Sequence, residues 1–218
     1  MLNSAFNAIG AGPGDYYPEA LRANIDAVNA RIYDTLNNGV YKAGFATTQA
    51  AYDEAVGPLF DTLDWLKRRL ADRRFLVGDN LTGADIRLFT TLVRFDAVYV
   101  GHFKCNIRRL ADYPSLSAYT RDIYQWPGVA ETVNIEHSKR HYYESHRSIN
   151  PSGIVPVGPT LDCPSQCSAL QCGKRSHVGQ PSSGSWAVAS TVSLLAYREI
   201  TSTDRRQRRR KAPARIHC

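Results

Sequence analysis

The sequence lacks several patterns by which large classes of proteins are recognised. No stretch of about eighteen consecutive residues is apolar and uncharged, as a membrane-spanning helix requires, so we expect no membrane contact. The start, Met1-Leu-Asn-Ser-Ala-Phe-Asn7, lacks the basic residues and apolar run of a secretory signal, and we therefore expect a cytoplasmic protein. There is no glycine-rich phosphate loop and no Gly-x-Ser-x-Gly motif, so the motifs of nucleotide-binding loops and of serine hydrolases are absent.

Cysteine and positive charge are unevenly distributed. Of the five cysteines, only Cys105 lies before residue 163. Residues 163–218 contain 10 Lys and Arg but only two acidic residues, a balance of +8, whereas residues 1–162 carry −1. The net charge of +7 therefore comes from residues 163–218. We still expect no nucleic-acid binding, because this basic segment lacks the aromatic residues and the scaffold of a nucleic-acid-binding module.

Apolar residues recur at steps of three and four through most of residues 18–145, which predicts an all-α domain. Gly39 is expected to end the first helix in the left-handed conformation, and Pro58 to kink the second. Residues 40–46, which include Tyr41 and Phe45, are expected to form a short connection between them. The predicted helices span residues 18–36, 47–72, 82–101, 114–126 and 134–145.

Residues 163–218 show neither helical periodicity nor a plausible core. We therefore divide the chain into a helical domain, residues 1–162, and a basic tail rich in Cys, Ser and Arg, residues 163–218. A segment that cannot bury enough apolar surface stays disordered, and we predict this for the tail. The basic run of residues 205–211 fits a solvated tail better than a phosphate-binding site.

Thr82 and Asp85 predict where the central helix begins. Thr82 is placed to accept from amides of the first helical turn, and Asp85 to accept from the amide of Thr82, which is a capping box with Asp in place of the usual Glu. Leu81 and Ile86 have the spacing of a hydrophobic staple. We assign Thr82 and Asp85 a structural role in folding.

The candidate metal ligands are weak. Cys163, Cys167 and Cys172, with His177, have irregular spacing in a segment without a scaffold, and chance explains them better. His137 and His141 are four residues apart and share a helix face, but no acidic pattern supports a metal beside them. We predict no metal site.

A lone thiol and two tyrosines remain as candidates. Cys105 follows a lysine near an apolar helix end, and a structural thiol is favoured over a nucleophile. Tyr41 and Tyr142 suit contact with an aromatic ligand, because a phenol has an apolar body and a hydroxyl that forms hydrogen bonds. From the residues alone, packing is the more common role for each tyrosine.

Three blocks of sequence together resemble one family. They are residues 37–47, which contain Asn-Gly-Val-Tyr-Lys, residues 75–85, which contain the capping box, and residues 140–159, which contain His-Tyr-Tyr. The middle block is similar to the C-terminal helical domain of glutathione transferases in general. With the outer blocks, residues 1–162 resemble the xi class, the glutathionyl-hydroquinone reductases, and the resemblance stops at Cys163.

The resemblance implies a thiol-transfer enzyme with glutathione as co-substrate. In this family a cysteine thiolate of an N-terminal thioredoxin-like domain attacks the sulfur of a glutathionyl-hydroquinone. The hydroquinone leaves, and a second glutathione resolves the mixed disulfide on the enzyme. Tyrosines of the helical domain hydrogen-bond the hydroquinone, and Tyr41 and Tyr142 match those positions in motif context. The full-length family also implies a homodimer.

The sequence also departs from the pattern of this family in specific ways. The Cys-Pro-Trp-Ala motif and the glutathione-holding Glu-Ser pair belong to the thioredoxin-like domain, and none of the five cysteines stands in that motif. We therefore expect a fragment without a catalytic residue, inactive alone, that supplies the hydroquinone-binding half of the site. We also expect residues 163–218 to be read in a different frame or fused. The alternative hypothesis is a non-catalytic dimerisation or interaction module with a basic tail.

Overall fold

The computed structural model describes residues 14–159, and this part of the chain is helical and contains no strand. The all-α prediction is therefore confirmed for these residues. The predicted tail, residues 163–218, lies outside them. Seven α-helices are described: α1 (Arg22–Ile32), α2 (Gly39–Gly44), α3 (Gln49–Arg69), α4 (Gly83–Arg94), α5 (Val100–His102), α6 (Pro114–Tyr124) and α7 (Ile135–Ser145). Two π-helical turns (Tyr33–Asn37 and Phe95–Tyr99) and three 3-10 turns (Glu19–Leu21, Leu110–Asp112 and Ala130–Thr132) lie between them.

The first predicted helix does not stop where its glycine suggests. The π-helical turn Tyr33–Asn37 follows α1 directly. Its hydrogen bond spans five residues, from the N–H of Asn38 to the carbonyl of Tyr33, at 2.9 Å. Gly39 then begins α2, and it is not in the left-handed conformation. The predicted stop and the predicted connection over residues 40–46 are wrong, because the wider turn lets the chain continue as helix through Tyr41.

The second predicted helix, residues 47–72, corresponds to α3. Thr48 caps it by accepting a hydrogen bond of 3.2 Å from the amide of Ala51. The helix continues through Gly57 and Pro58, and three basic residues occupy its last turn, where they complement the helix dipole.

The capping box predicted from Thr82 and Asp85 is present at the start of α4. The amide of Thr82 donates to Oδ2 of Asp85 at 2.9 Å, and the staple residues Leu81 and Ile86 are both buried. The predicted helix over residues 82–101 is divided into α4, the second π-helical turn and α5, because the turn widens at residues 95–99.

The core of this domain surrounds α4, which packs against α1 and α6. Nine of its twelve residues are buried, as expected of a helix with neighbours on several sides. The last two predicted helices are observed as α6 and α7, and Asn134 caps α7 by accepting from the amide of His137 at 2.8 Å. Among residues 14–159, no helix is long and apolar enough to cross a bilayer.

Residues 146–159 continue beyond α7 and are tied back to it. The Nζ of Lys139, on α7, donates to the carbonyl oxygens of Val157 and Gly158 at 2.9 and 3.1 Å. The side-chain amide of Asn150 donates to the carbonyl of Tyr143 at 2.8 Å. These contacts hold the segment against the helix that carries Tyr142.

Candidate functional site

The fold brings the two tyrosines singled out in the sequence into direct contact. Tyr41 lies on α2 and Tyr142 on α7, and their hydroxyl oxygens are 2.6 Å apart. Both side chains are buried, with 7% and 1% of their surface exposed. The two residues are 101 positions apart in the chain, so their contact depends on the tertiary packing of the two helices.

A third tyrosine, Tyr99, joins the pair. Its hydroxyl is 3.2 Å from that of Tyr142, and its ring is fully buried in the π-helical turn Phe95–Tyr99. Tyr99 lies in an apolar stretch where a tyrosine is expected to pack, so no pattern in the sequence indicates its place in the site. We call Tyr41, Tyr99 and Tyr142 the tyrosine cluster.

The tyrosine cluster has the chemistry of a hydrogen-bonding site for an oxygen ligand. Two contacts join the three hydroxyls, and each phenolic hydroxyl can both donate and accept a hydrogen bond. A phenolic oxygen of a ligand is a suitable partner for such a group. A short O–H···O contact of the length seen between Tyr41 and Tyr142 is typical of a strong hydrogen bond.

Aromatic rings surround the cluster. The ring of Phe103 stacks on Tyr99 with an interplanar angle of 7° and a centroid distance of 5.7 Å. It also meets Tyr41 and Tyr142 edge-on, at 5.3 and 5.7 Å, and Phe45 packs on its far side at 5.4 Å. Flat apolar walls beside a few hydroxyls are the usual environment of a small aromatic ligand.

A pair of histidines borders the same cluster. The Nε2 of His102 is 3.1 Å from the Nδ1 of His146, and both rings contact Tyr142. Burial, and then the neighbouring His146 and Lys104, lower the pKa of His102 to about 4, so its imidazole is neutral at pH 7. His102 therefore adds a polar but uncharged group to this edge of the cluster.

The two histidines of α7 differ in their environment. Burial lowers the pKa of His141, whereas His137 is exposed to solvent. Within the described residues, no group of three or more His, Cys, Asp or Glu side chains is placed to hold a metal ion. The cysteines that follow residue 162, with His177, lie outside the described part of the chain.

Cys105 does not have the environment of a nucleophile. Its side chain is fully buried, and its sulfur lies 3.7 Å from the carbonyl oxygen of Phe103. Burial raises the pKa of the thiol to about 12, so the reactive thiolate is scarce at neutral pH. This agrees with a structural thiol.

Comparison with known proteins identifies the fold. A family model for the C-terminal domain of glutathione S-transferases matches residues 49–122. In a structure of YqjG from Escherichia coli with bound glutathione, the matching region superposes with a TM-score of 0.72 at 59% identity, over 74% of this chain and 52% of that chain. Residues 14–159 have the fold of a glutathione transferase C-terminal domain.

Two curated relatives contain this glutathione transferase helical domain within a longer chain. The glutathionyl-hydroquinone reductase PcpF of Sphingobium chlorophenolicum is 63% identical over 164 residues, which are 75% of this chain and 52% of that protein. The glutathionyl-hydroquinone reductase YqjG of Escherichia coli is 59% identical over 162 residues, 74% of this chain and 49% of that protein. The chain spans about half the length of the curated relatives it matches.

Proposed function

We propose that the helical domain supplies the hydroquinone-binding half of the active site of a glutathionyl-hydroquinone reductase. The observation that carries this proposal is the contact of 2.6 Å between the hydroxyls of Tyr41 and Tyr142, the two residues that match the family's tyrosines. The 63% identity to PcpF and 59% identity to YqjG support the same activity class.

In this proposal the tyrosine cluster orients the aromatic part of the substrate. A hydroxyl of the cluster forms a hydrogen bond with a phenolic oxygen of the hydroquinone. The contacts of Phe103 with Tyr99 and with Phe45 support an aromatic lining for this site. Such positioning matters because displacement at sulfur requires the attacking thiolate, the sulfur and the leaving ring carbon to be aligned.

The proposed reaction is a reduction by two thiols. A thiolate attacks the sulfur of the glutathionyl-hydroquinone, so an S–S bond forms, the C–S bond breaks, and the ring carbon keeps the electron pair and takes up a proton. A glutathione thiolate then attacks the mixed disulfide, which releases glutathione disulfide and restores the first thiolate. Cys105 is unsuited to the first step because it is buried and its pKa is raised. We therefore assign the nucleophile to a residue outside 14–159.

Binding measurements on the full chain test the role of the tyrosines. The chain is titrated anaerobically with glutathionyl-menadiol, and Tyr41→Phe and Tyr142→Phe are compared with the parent chain. Each variant keeps the ring and removes one hydroxyl, and the loss of one hydrogen bond to a ligand is expected to weaken binding about threefold to tenfold. Tyr33→Phe is the matched control, since Tyr33 is exposed and lies outside the cluster.

Two results would contradict the proposal. One is unchanged affinity in Tyr41→Phe and Tyr142→Phe, with melting temperatures equal to that of the parent chain. The other is rapid turnover of glutathionyl-menadiol with glutathione by the purified chain that is abolished by Cys105→Ala, because the buried thiol would then be the nucleophile.

The resemblance to the family also supports a homodimer, and we propose this for the chain together with a cytoplasmic location. Light scattering after size-exclusion chromatography measures the mass in solution, and a mass of one chain at all concentrations would rule out the dimer. Fractionation of expressing cells tests the location.

A further inference from the structure

Lys104 has a backbone conformation that lysine rarely adopts. Its φ is 59°, and no other residue besides glycine has a positive φ in the part of the chain that the structure describes. The residue follows α5, where the amides of Phe103 and Cys105 both donate to the carbonyl of Tyr99, at 3.2 and 3.0 Å. Glycine is the usual residue at this position of a helix terminus, because a Cβ is unfavourable in the left-handed conformation.

The contacts around Lys104 hold this conformation in place. The hydroxyl of Tyr52 donates to the carbonyl oxygen of Lys104 at 2.6 Å. Phe103 and Cys105, on either side, are fully buried. The backbone is therefore anchored, while the lysine side chain is exposed. Strained residues that the surrounding structure maintains are enriched at binding sites.

The position of Lys104 is next to the tyrosine cluster. Phe103, its neighbour in the chain, stacks on Tyr99 and meets Tyr41 and Tyr142 edge-on. The ammonium group is close enough to His102 to contribute to the lowered pKa of that imidazole. Lys104 thus directly follows the ring that packs on all three tyrosines of the cluster.

No carboxylate neutralises this charge among residues 14–159. The ion pairs between described residues are formed by Lys42 and by arginines, and none involves Lys104. Its positive charge contributes to lowering the pKa of His102 and opposes the rise in the pKa of the Cys105 thiol. The strain of Lys104 is therefore not offset by an ion pair in this part of the chain.

We propose that Lys104 recognises a negatively charged oxygen of the ligand at the edge of the tyrosine cluster. The oxygen belongs either to a carboxylate of the glutathionyl group or to an ionised phenol of the hydroquinone. This inference rests on the proposed function. It adds that the recognised group of the substrate is negatively charged and that Lys104 is the residue that binds it.

Three probes and three variants of the full chain test this role. The probes are glutathionyl-menadiol, which carries carboxylates, tetrachlorohydroquinone, which has an acidic phenol and no carboxylate, and menadiol, which is neutral. Lys104→Gly removes the charge and the strain, and Lys104→Arg keeps the charge. Lys67→Asn is the control, since Lys67 is also exposed and lies in the last turn of α3.

We expect Lys104→Gly to weaken binding of an anionic probe about twofold to fivefold, the range of an exposed ion pair, and to leave menadiol binding unchanged. The probe that loses affinity identifies the carboxylate or the phenol as the recognised group. The difference should shrink at high salt, where exposed charges are screened. Lys104→Arg and Lys67→Asn should bind as the parent chain does. The melting temperature of Lys104→Gly should rise by a few degrees, which shows that the loss of affinity is not a loss of fold.

The outcomes separate this inference from the proposed function. If the parent chain binds the probes and Lys104→Gly binds the anionic ones equally well, the role of Lys104 is overturned and the proposed function stands. An equal loss for menadiol also overturns it, because charge is then not what the residue recognises. If the parent chain binds none of the three probes, both proposals fail.

Discussion

The hydroxyl of Tyr119 donates a hydrogen bond of 2.9 Å to Oδ1 of Asp85, and this contact joins α6 to the first turn of α4. The same carboxylate accepts from the amide of Leu76 at 2.8 Å and from both the amide and the hydroxyl of Thr82 at 2.9 Å. Asp85 is fully buried, and burial raises the pKa of its carboxyl while the four hydrogen bonds oppose that rise. Asp85 therefore caps α4 and also joins that helix to α6 and to the loop that contains Leu76.

Asp85→Ala should lower the free energy of unfolding by about 3 kcal/mol, because four buried donors lose their acceptor. Tyr119→Phe should cost only about 1 kcal/mol, since it removes one of the four hydrogen bonds and keeps the ring. Chemical denaturation measures both. Asp79→Ala, an exposed residue in the same loop, is the control and should change stability little. Loss of ligand binding in Asp85→Ala without any loss of stability would make Asp85 part of the binding site and our structural assignment wrong.

Gly44→Ala should destabilise the domain and weaken hydroquinone binding. A Cβ at Gly44 would overlap the ring and the Cβ of Phe103, which packs on Tyr41 and Tyr99. Overpacking of a buried site typically costs about 1–3 kcal/mol, and a displaced Phe103 would move the tyrosines it contacts.

Gly57→Ala is the control for Gly44→Ala. Gly57 lies inside α3 before Pro58, and a Cβ there meets no atom within 4 Å apart from its chain neighbours and the nearby helix backbone. The proline ring opposes a Cβ on the preceding helical residue and so offsets the usual gain of alanine over glycine, and we expect a change in stability of less than about 1 kcal/mol. Thermal melts and titration with glutathionyl-menadiol provide the two measurements. Equal stability of the two variants would show that Phe103 moves aside without cost.

The sequence predicts the helical elements of this domain well and its turns poorly. Capping and periodicity depend on nearby residues, so the starts of α3, α4 and α7 are close to their predicted positions. The π-helical turns depend on distant contacts. The side-chain Nδ2 of Asn37 donates to the hydroxyl of Thr91 at 2.6 Å across 54 positions, and this contact joins the first widened turn to α4.

The tyrosine cluster shows the same limit. Tyr41 and Tyr142 stand in motifs that resemble a family, so sequence comparison could find them. Tyr99 lies in an apolar helix, and its contact with Tyr142 exists only because the turn Phe95–Tyr99 and α7 pack together. No local pattern distinguishes such a tyrosine from one that only fills the core.

Cys105 should be slow to react with alkylating agents in the folded chain. Burial raises the pKa of its thiol to about 12, and the opposing effect of the Lys104 ammonium is smaller. Iodoacetamide labelling at pH 8, followed by peptide mass spectrometry, measures each cysteine separately. The same chain in denaturant is the control, and Cys105 should label there as an ordinary thiol. Labelling of Cys105 in the folded chain at the denatured rate would contradict the buried thiol.

The stability of the domain should depend on His102 in mildly acidic solution. The pKa of His102 is lowered from 6.5 to about 4 in the folded chain, first by burial and then by His146 and Lys104. Between these two values the unfolded chain binds a proton at His102 and the folded chain does not, so this residue's contribution is fully present above pH 6.5 and is lost as the pH falls toward 4.

The difference between the parent chain and His102→Gln isolates this effect from that of the carboxylates, which titrate in both proteins. Glutamine is neutral at every pH, so His102→Gln should lose less stability than the parent chain between pH 6.5 and pH 4, as measured by urea denaturation. His137→Gln, which changes an exposed histidine of α7, should follow the parent curve. Parallel curves for the parent chain and His102→Gln would mean that His102 takes up its proton equally in the folded and unfolded chains. The His102 imidazole would then carry a positive charge in mild acid, next to Tyr142 at the edge of the tyrosine cluster.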